Sequence, residues 1–116
     1  MNIAISLLDA SSAAHPDPHF GRAAAFLLVD VETGQQHIKV NPAAGTSSGA
    51  GVKAAEFVIR QGAGAVISGS FGPKACDVLA AAGVRMYRAQ ADTVADLLQQ
   101  YQAGRLEQAK ATSSHD

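Results

Sequence analysis

Residues 24–31 read Ala-Ala-Phe-Leu-Leu-Val-Asp-Val, a nearly unbroken apolar run. Such a run reads as a strand, and its missing polar alternation means that both of its faces are covered. Taken with the helices of the second half, it belongs to the sheet of an α/β protein. Residues 2–8 (Asn-Ile-Ala-Ile-Ser-Leu-Leu) read as a buried strand before it. The intervening stretch 9–19 is predicted to be a loop, because Pro16 and Pro18 deny it backbone donors. Glu32-Thr33-Gly34 is a turn, and residues 36–40 alternate, with Ile38 and Val40 inward and His37 and Lys39 outward. That pair is an antiparallel hairpin.

The second half alternates helix and strand. Ser48 is expected to cap a helix that runs to about Gln61 and stops at Gly62. Ala54, Ala55, Val58 and Ile59 share one of its faces; Lys53, Glu56 and Arg60 share another, with Glu56 and Arg60 spaced to pair weakly. Residues 65–68 form a short buried strand, and Pro73 opens a helix that buries Cys76, Leu79 and Ala80 and stops at Gly83. Residues 84–88 read as an edge strand. Thr93 with Asp96 resembles a capping box for a last helix with Val94, Leu97, Leu98 and Tyr101 on one side, ended by Gly104. The predicted order is β, β, β, α, β, α, β, α. It gives a mixed five-stranded sheet, an antiparallel meander followed by parallel strands, with helices on its faces. The strand order resembles ribonuclease H topology. Residues 1–108 are expected to form a single domain and 109–116 a flexible tail that includes His115.

Charge and cysteine count remove whole classes of function. Nine basic and ten acidic residues leave a net charge of −1, which gives no general case for nucleic acid or a membrane surface. Tryptophan is absent, so base-stacking platforms are disfavoured. Cys76 is the only cysteine, which rules out an internal disulfide and a cysteine-only metal site within one chain. The first residues show neither a basic flank nor a long apolar run, so no signal peptide or membrane span is expected, and the default compartment is the cytoplasm.

Four short stretches sit where apolar segments meet loops or helix starts: His19-Phe20-Gly21-Arg22, Asn41-Pro42-Ala43-Ala44, Gly49-Ala50-Gly51 and Gly69-Ser70-Phe71-Gly72-Pro73-Lys74. Together they suggest one pocket lined by backbone N–H groups, a few cations and an aromatic ring, suited to a bulky anion. Gly72-Pro73-Lys74 follows a strand and opens a helix, where free N–H groups and the positive dipole end favour negative charge. The dipole disfavours a cation there by about 0.3–1 kcal/mol, so Lys74 either answers a bound anion or simply points to water. Gly49 and Gly51 are poor helix formers, kept either for close approach of a ligand or for close helix packing. Lys53 contributes only if it folds back toward its helix start. The fork of Arg22 suits oxyanions and sulfur-rich anions, or makes a surface ion pair. His15 and His19 look like a metal pair, but the prolines between them enforce extension. At about 3.3 Å per residue, their α-carbons stand too far apart for one ion. Ser, His and Asp sit in no nucleophile frame, and Asp9 and Asp30 lack a third carboxylate at the 65–70 strand end, so catalysis and two-metal hydrolysis are both disfavoured.

The same stretches carry a family resemblance. His19-Phe20-Gly21-Arg22-Ala23, Asn41-Pro42-Ala43, Gly49-Ala50-Gly51 and Gly72-Pro73-Lys74-Ala75, in that order, resemble the dinitrogenase iron–molybdenum cofactor biosynthesis family. That family includes NifX, NafY and the C-terminal domain of NifB, and the resemblance spans about residues 1–108. It implies a ribonuclease H-like fold without nuclease activity and non-catalytic binding of a metal–sulfur cluster. Within the family the chain is most similar to the orange proteins of sulfate-reducing bacteria, which hold a molybdenum–copper sulfide cluster non-covalently. The implied cargo is therefore thiomolybdate plus copper, carried by a monomer. The matching positions are His19, Phe20, Arg22, Asn41, Gly49, Gly51, Gly72 and Lys74, joined through expected proximity by Ser11, Ser12, Lys53, Ser70 and Phe71. Many relatives place histidines where this chain has Gly45-Thr46-Ser47-Ser48, which favours capture by charge and hydrogen bonds over direct protein–metal bonds. Two other classes stay open: a regulatory or assembly module acting through protein partners with a vestigial pocket, and a phosphate-ester or nucleotide-binding enzyme, against which the missing acid/base pair counts.

Overall fold

The computed structural model describes residues 1–46 and 48–109. The expected tail beyond Ala109 and the position of Ser47 lie outside the described residues. In chain order the elements are β1 (Asn2–Asp9), β2 (Ser12–Pro16), β3 (Ala25–Asp30), β4 (Gln36–Val40), α1 (Ala50–Arg60), β5 (Ala63–Ser68), α2 (Pro73–Ala81), β6 (Arg85–Arg88) and α3 (Val94–Gln102). The sheet runs β4-β3-β1-β5-β6. β5 lies parallel to both β1 and β6, whereas β3 is antiparallel to β1 and β4.

Both faces of the sheet are covered, as the apolar run of β3 requires. Phe26 and Leu28 point to the α1–α2 side, where they join Ala4, Val58, Val66 and Leu79. Ala25, Leu27 and Val29 point to the other side, joining Ile3, Ile5, Leu7, Ile67 and Leu97. Burying a side chain of this size contributes about 1.5–3 kcal/mol, so two such clusters account for the cohesion of the layers. The meander, the parallel second half, the turn at Glu32-Thr33-Gly34 and the helix stops before Gly62, Gly83 and Gly104 stand where the sequence puts them. Asp30 Oδ1 accepts the Glu32 and Thr33 amides at the turn, which holds its carboxyl below the usual range.

Several expectations are corrected. The sheet has six strands, because residues 12–16 turn back along β1. Leu7 faces Ala25 across one edge of β1 and Pro16 across the other. A proline is tolerated there because it ends a short strand at the margin of the sheet. Ile38 and Val40 do not turn inward: all five residues of β4 are exposed, Val40 by 67%. They sit opposite Leu27 and Ala25, on the side that α3 covers, but β4 is the outermost strand and α3 lies toward β2 and β6. Ser48 does not cap α1; Gly49 holds that place with φ of 71° and no side-chain bond. α2 buries Ala75, Cys76 and Leu79, while Ala80 faces water. Glu56 and Arg60 are not among the ion pairs of the described residues.

β6 is the last strand of the sheet, yet its outer edge is not bare. Arg88 N–H donates to the Glu107 carbonyl at 2.9 Å, and Ala109 N–H to the Met86 carbonyl at 2.8 Å. This pairing satisfies an edge that would otherwise invite another chain.

The two helix starts yield a direct contrast. Thr93 Oγ1 accepts the Asp96 N–H at 3.2 Å, so Thr93→Ala should cost about 1 kcal/mol in urea unfolding, whereas Ser48→Ala should stay within about 0.5 kcal/mol. Equal losses at the two positions would contradict this account of the caps.

Candidate functional site

The segment from Asp17 to Ala23 crosses the top of the sheet, and its backbone is already committed. Asp17 N–H donates to the Ser6 carbonyl at 2.8 Å, and Ser70 Oγ donates to the Pro18 carbonyl at 3.1 Å. His19 N–H donates to Asp17 Oδ1 at 2.7 Å, and Phe20 N–H to the Ser70 carbonyl at 3.2 Å. Asn41 Nδ2 donates to the carbonyls of Gly21 and Ala23, at 3.1 and 2.9 Å, while its Oδ1 accepts the Ala43 N–H. Asn41 is 2% exposed. It therefore ties two loops together and has no free group for a ligand. What this segment offers outward is side chains: those of His19 and Arg22, both exposed.

The aromatic ring expected in the pocket is not there. Phe20 and Phe71 are 2% and 1% exposed, and their ring centroids stand 5.2 Å apart, with Phe26 at 5.3 Å from Phe20. Apolar burial and ring–ring contact draw both rings beneath the loops, where they act as anchors. Ser11 and Ser12 also stand apart. Ser11 bonds Asp9 Oδ1, which holds the Asp9 carboxyl below the usual range, and Ser12 Oγ accepts the Ala14 N–H. Neither serine lines a cleft with the helix starts.

The starts of α1 and α2 do come together. They line a cleft of about 380 Å³ formed by Gly49–Val52 and Gly72–Ala75. The first helical bonds are Lys53 N–H to Gly49 and Cys76 N–H to Gly72, so the amides of Ala50, Gly51, Val52, Lys74 and Ala75 have no partner within their helices. Neither helix has a side-chain cap or an acidic residue in its first turn. Two positive dipole ends thus open on one space without a carboxylate to answer them. Lys74 lines that space, and Lys53 is exposed one turn further along α1.

The glycines divide by purpose. A Cβ on Gly21 would stand 2.9 Å from the Gly51 backbone, and one on Gly51 would meet Ala75 Cβ at 3.3 Å. These two let the loop and both helix starts touch, which places Arg22 one residue from the cleft wall. Gly72 has a φ of −70°, which any residue adopts, and a Cβ there would meet nothing within 4 Å. Neither strain nor packing requires a glycine at 72; open space for a guest is what it leaves.

A second cleft of about 340 Å³ lies on the other side of the Pro16–Pro18 segment, beyond the ends of β1, β5 and β6. Leu8, Pro16, Ala89 and Ala91 wall it, with His15, Asp17 and Asp92 at its margin. His15 and His19 share no ion: His15 Nδ1 stands 3.1 Å from the Asp92 carbonyl, while His19 Nδ1 is 3.5 Å from Asp17 Oδ1. Among the described residues no three of His, Cys, Asp and Glu are placed to hold a metal ion. Cys76 is buried, and burial followed by the neighbouring Asp77 raises its thiol pKa.

Sequence reasoning missed two polar residues of this region, Ser6 and Ser68, both fully buried at the upper ends of β1 and β5. The available signal was a lone serine within the apolar run of β1 and another closing that of β5.

Comparison with known proteins agrees with the fold. Residues 1–104 match the family model described as dinitrogenase iron-molybdenum cofactor. An uncharacterized protein of Methanocaldococcus jannaschii is 31% identical over 93 residues, covering 78% of this chain and 79% of that one. The apo form of the orange protein from Desulfovibrio gigas is 33% identical with a TM-score of 0.88, over 95% of this chain and 93% of that one. A putative NifB protein from Thermotoga is 28% identical with a TM-score of 0.80, over 92% and 91%.

Two outcomes follow from this geometry. Asn41→Ala strands the buried Ala23 carbonyl and the half-buried Gly21 carbonyl and should cost about 2–4 kcal/mol in urea unfolding, far more than an exposed polar residue would. Cys76 should react with iodoacetamide at pH 8 at least about ten-fold more slowly than a free cysteine until the protein is unfolded.

Proposed function

The chain belongs to the dinitrogenase iron–molybdenum cofactor family, and we propose that it binds and carries an anionic metal–sulfide cluster, without catalysis, in the cleft between the starts of α1 and α2. The carrying observation is that two uncapped helix N-termini, free of acidic side chains, open on one space beside Lys74. Unpaired N–H groups are poor ligands for a cation and good donors to sulfide or oxide. The donor set fits a preassembled cluster held by hydrogen bonds and charge, since no grouped metal ligands are available among the described residues and the thiol is buried.

Each residue has a distinct part in this reading. The amides of Ala50, Gly51, Val52 and Ala75 donate to the cluster surface, and Gly72 leaves it room. Lys74 offsets its charge, with Arg22 arriving over the Gly21–Gly51 contact and Lys53 from one turn away. The planar, weakly hydrated guanidinium of Arg22 suits soft sulfide better than a compact ammonium does. His19 supplies a ring N–H donor beside the loop. The cluster we favour is a molybdenum–copper sulfide built from thiomolybdate and copper.

The test is a titration of metal-free protein with tetrathiomolybdate, with and without copper(I), followed by visible charge-transfer bands and by metal content after desalting. Retained colour that needs both metals is the expected result. The Arg22→Gln/Lys74→Gln double variant should raise Kd by about ten-fold or more, because each lost charged contact is worth about 1 kcal/mol. Added salt should weaken the wild type and affect the variant less. Equal affinity in the folded variant, or no retained metal in the wild type, would end this reading.

A further inference from the structure

Under α1 and α2 the buried centre of the sheet is lined by Ala4, Phe26, Leu28 and Val66, and its upper end is polar. There Ser6 of β1 and Ser68 of β5 lie side by side, both with no exposed surface. Alanine would fill either place, and burying an unpartnered hydroxyl costs about 1–3 kcal/mol. These hydroxyls are partnered: their oxygens are 2.8 Å apart, and Ser6 Oγ is 2.7 Å from the Asp17 carbonyl. Ser6 has one hydroxyl proton. Both short contacts are satisfied when Ser68 donates to Ser6 and Ser6 donates to that carbonyl. The Asp17 N–H in turn donates to the carbonyl of Ser6 itself. One strand residue thus grips Asp17 at both of its backbone groups.

The grip is passed on. Asp17 keeps only 13% of its side chain exposed, and its Oδ1 takes the His19 N–H at 2.7 Å. The Pro18 carbonyl is held by Ser70 Oγ, and a Cβ on Gly69 would stand 2.7 Å from Pro18. The segment is therefore seated directly on the ends of β1 and β5, and from that seat it carries His19 and Arg22. We propose that Ser6 and Ser68 are positioning residues for the binding cleft: their hydroxyl pair fixes Asp17 and so sets where His19 and Arg22 stand. The inference rests on the cleft being the binding site. It adds two buried residues that touch no ligand but control the groups that do.

The experiment is amide hydrogen exchange by NMR on the full chain, paired with the affinity for tetrathiomolybdate with copper(I). In Ser6→Ala, the amides of Asp17 and Phe20 should exchange about ten-fold faster relative to those of Leu27 and Val66, and Kd should rise about ten-fold. Ser68→Thr keeps a hydroxyl and should hold both values near wild type. If Ser6→Ala does not fold, Ser68→Ala removes the donor behind Ser6 together with the longer 3.4 Å contact of Ser68 Oγ to the Asp17 carbonyl, while the 2.7 Å bond from Ser6 stays, and the same loop-to-core ratio should shift about three-fold. Equal acceleration of loop and core amides would reduce the pair to ordinary stability and overturn the proposal. So would an unchanged Kd in a variant whose loop has loosened. If the wild type does not retain the probe, the cluster reading falls, and the exchange ratio alone decides whether the hydroxyls place the loop.

Discussion

The backbone contact between Gly21 and Gly51 is the constraint on which the upper half of this molecule depends. Main chain meets main chain there, with no side chain between, and it can do so only because Gly21 lacks a Cβ. The contact brings the segment after β2 against the start of α1. Ala75 closes in from α2 against the same glycine. Three separate pieces of chain are thereby fastened at one point, and the cleft is what remains between them. The phenylalanine cluster beneath supplies the cohesion, and Asn41 and the serines supply the direction.

Strands and helices were legible because their signals are local. A run such as Ala24–Val31 has one physical solution, burial on both faces, and the structure adopts it. β2 was hidden because prolines argue against ladder bonds, and the argument weakens for a strand that pairs only at the margin. Ile38 and Val40 alternate as an inward face should, but alternation says nothing about whether a layer lies opposite. Their strand is outermost, so the face they were given has no cover.

The site was legible at the level of segments and not at the level of atoms. Sequence order put glycine and a cation at two helix starts, and helix geometry guarantees free amides there. It could not give the direction of Phe20 and Phe71, whose rings point into the core because aromatic burial outweighs any gain from lining a cleft. It could not show that Asn41 spends all its bonds on the protein. Nor could it pair Ser6 with Ser68, which are distant in sequence and meet only because β1 and β5 are parallel neighbours. Small polar residues inside apolar strands carry this kind of information, and it becomes readable once the register is known.

The pairing of Glu107 and Ala109 with β6 bears on where this protein can be cut. The match to the family model extends to residue 104, at the loop after α3. Leu106 lies beyond it and is 8% exposed within the α3-side cluster, and the two edge bonds lie further on. A recombinant fragment trimmed to the shared region would lose a core side chain and bare a strand edge at the same time. Such a fragment could retain every group of the cleft and still be prone to aggregate, so its failure in a binding assay would measure the truncation and not the site.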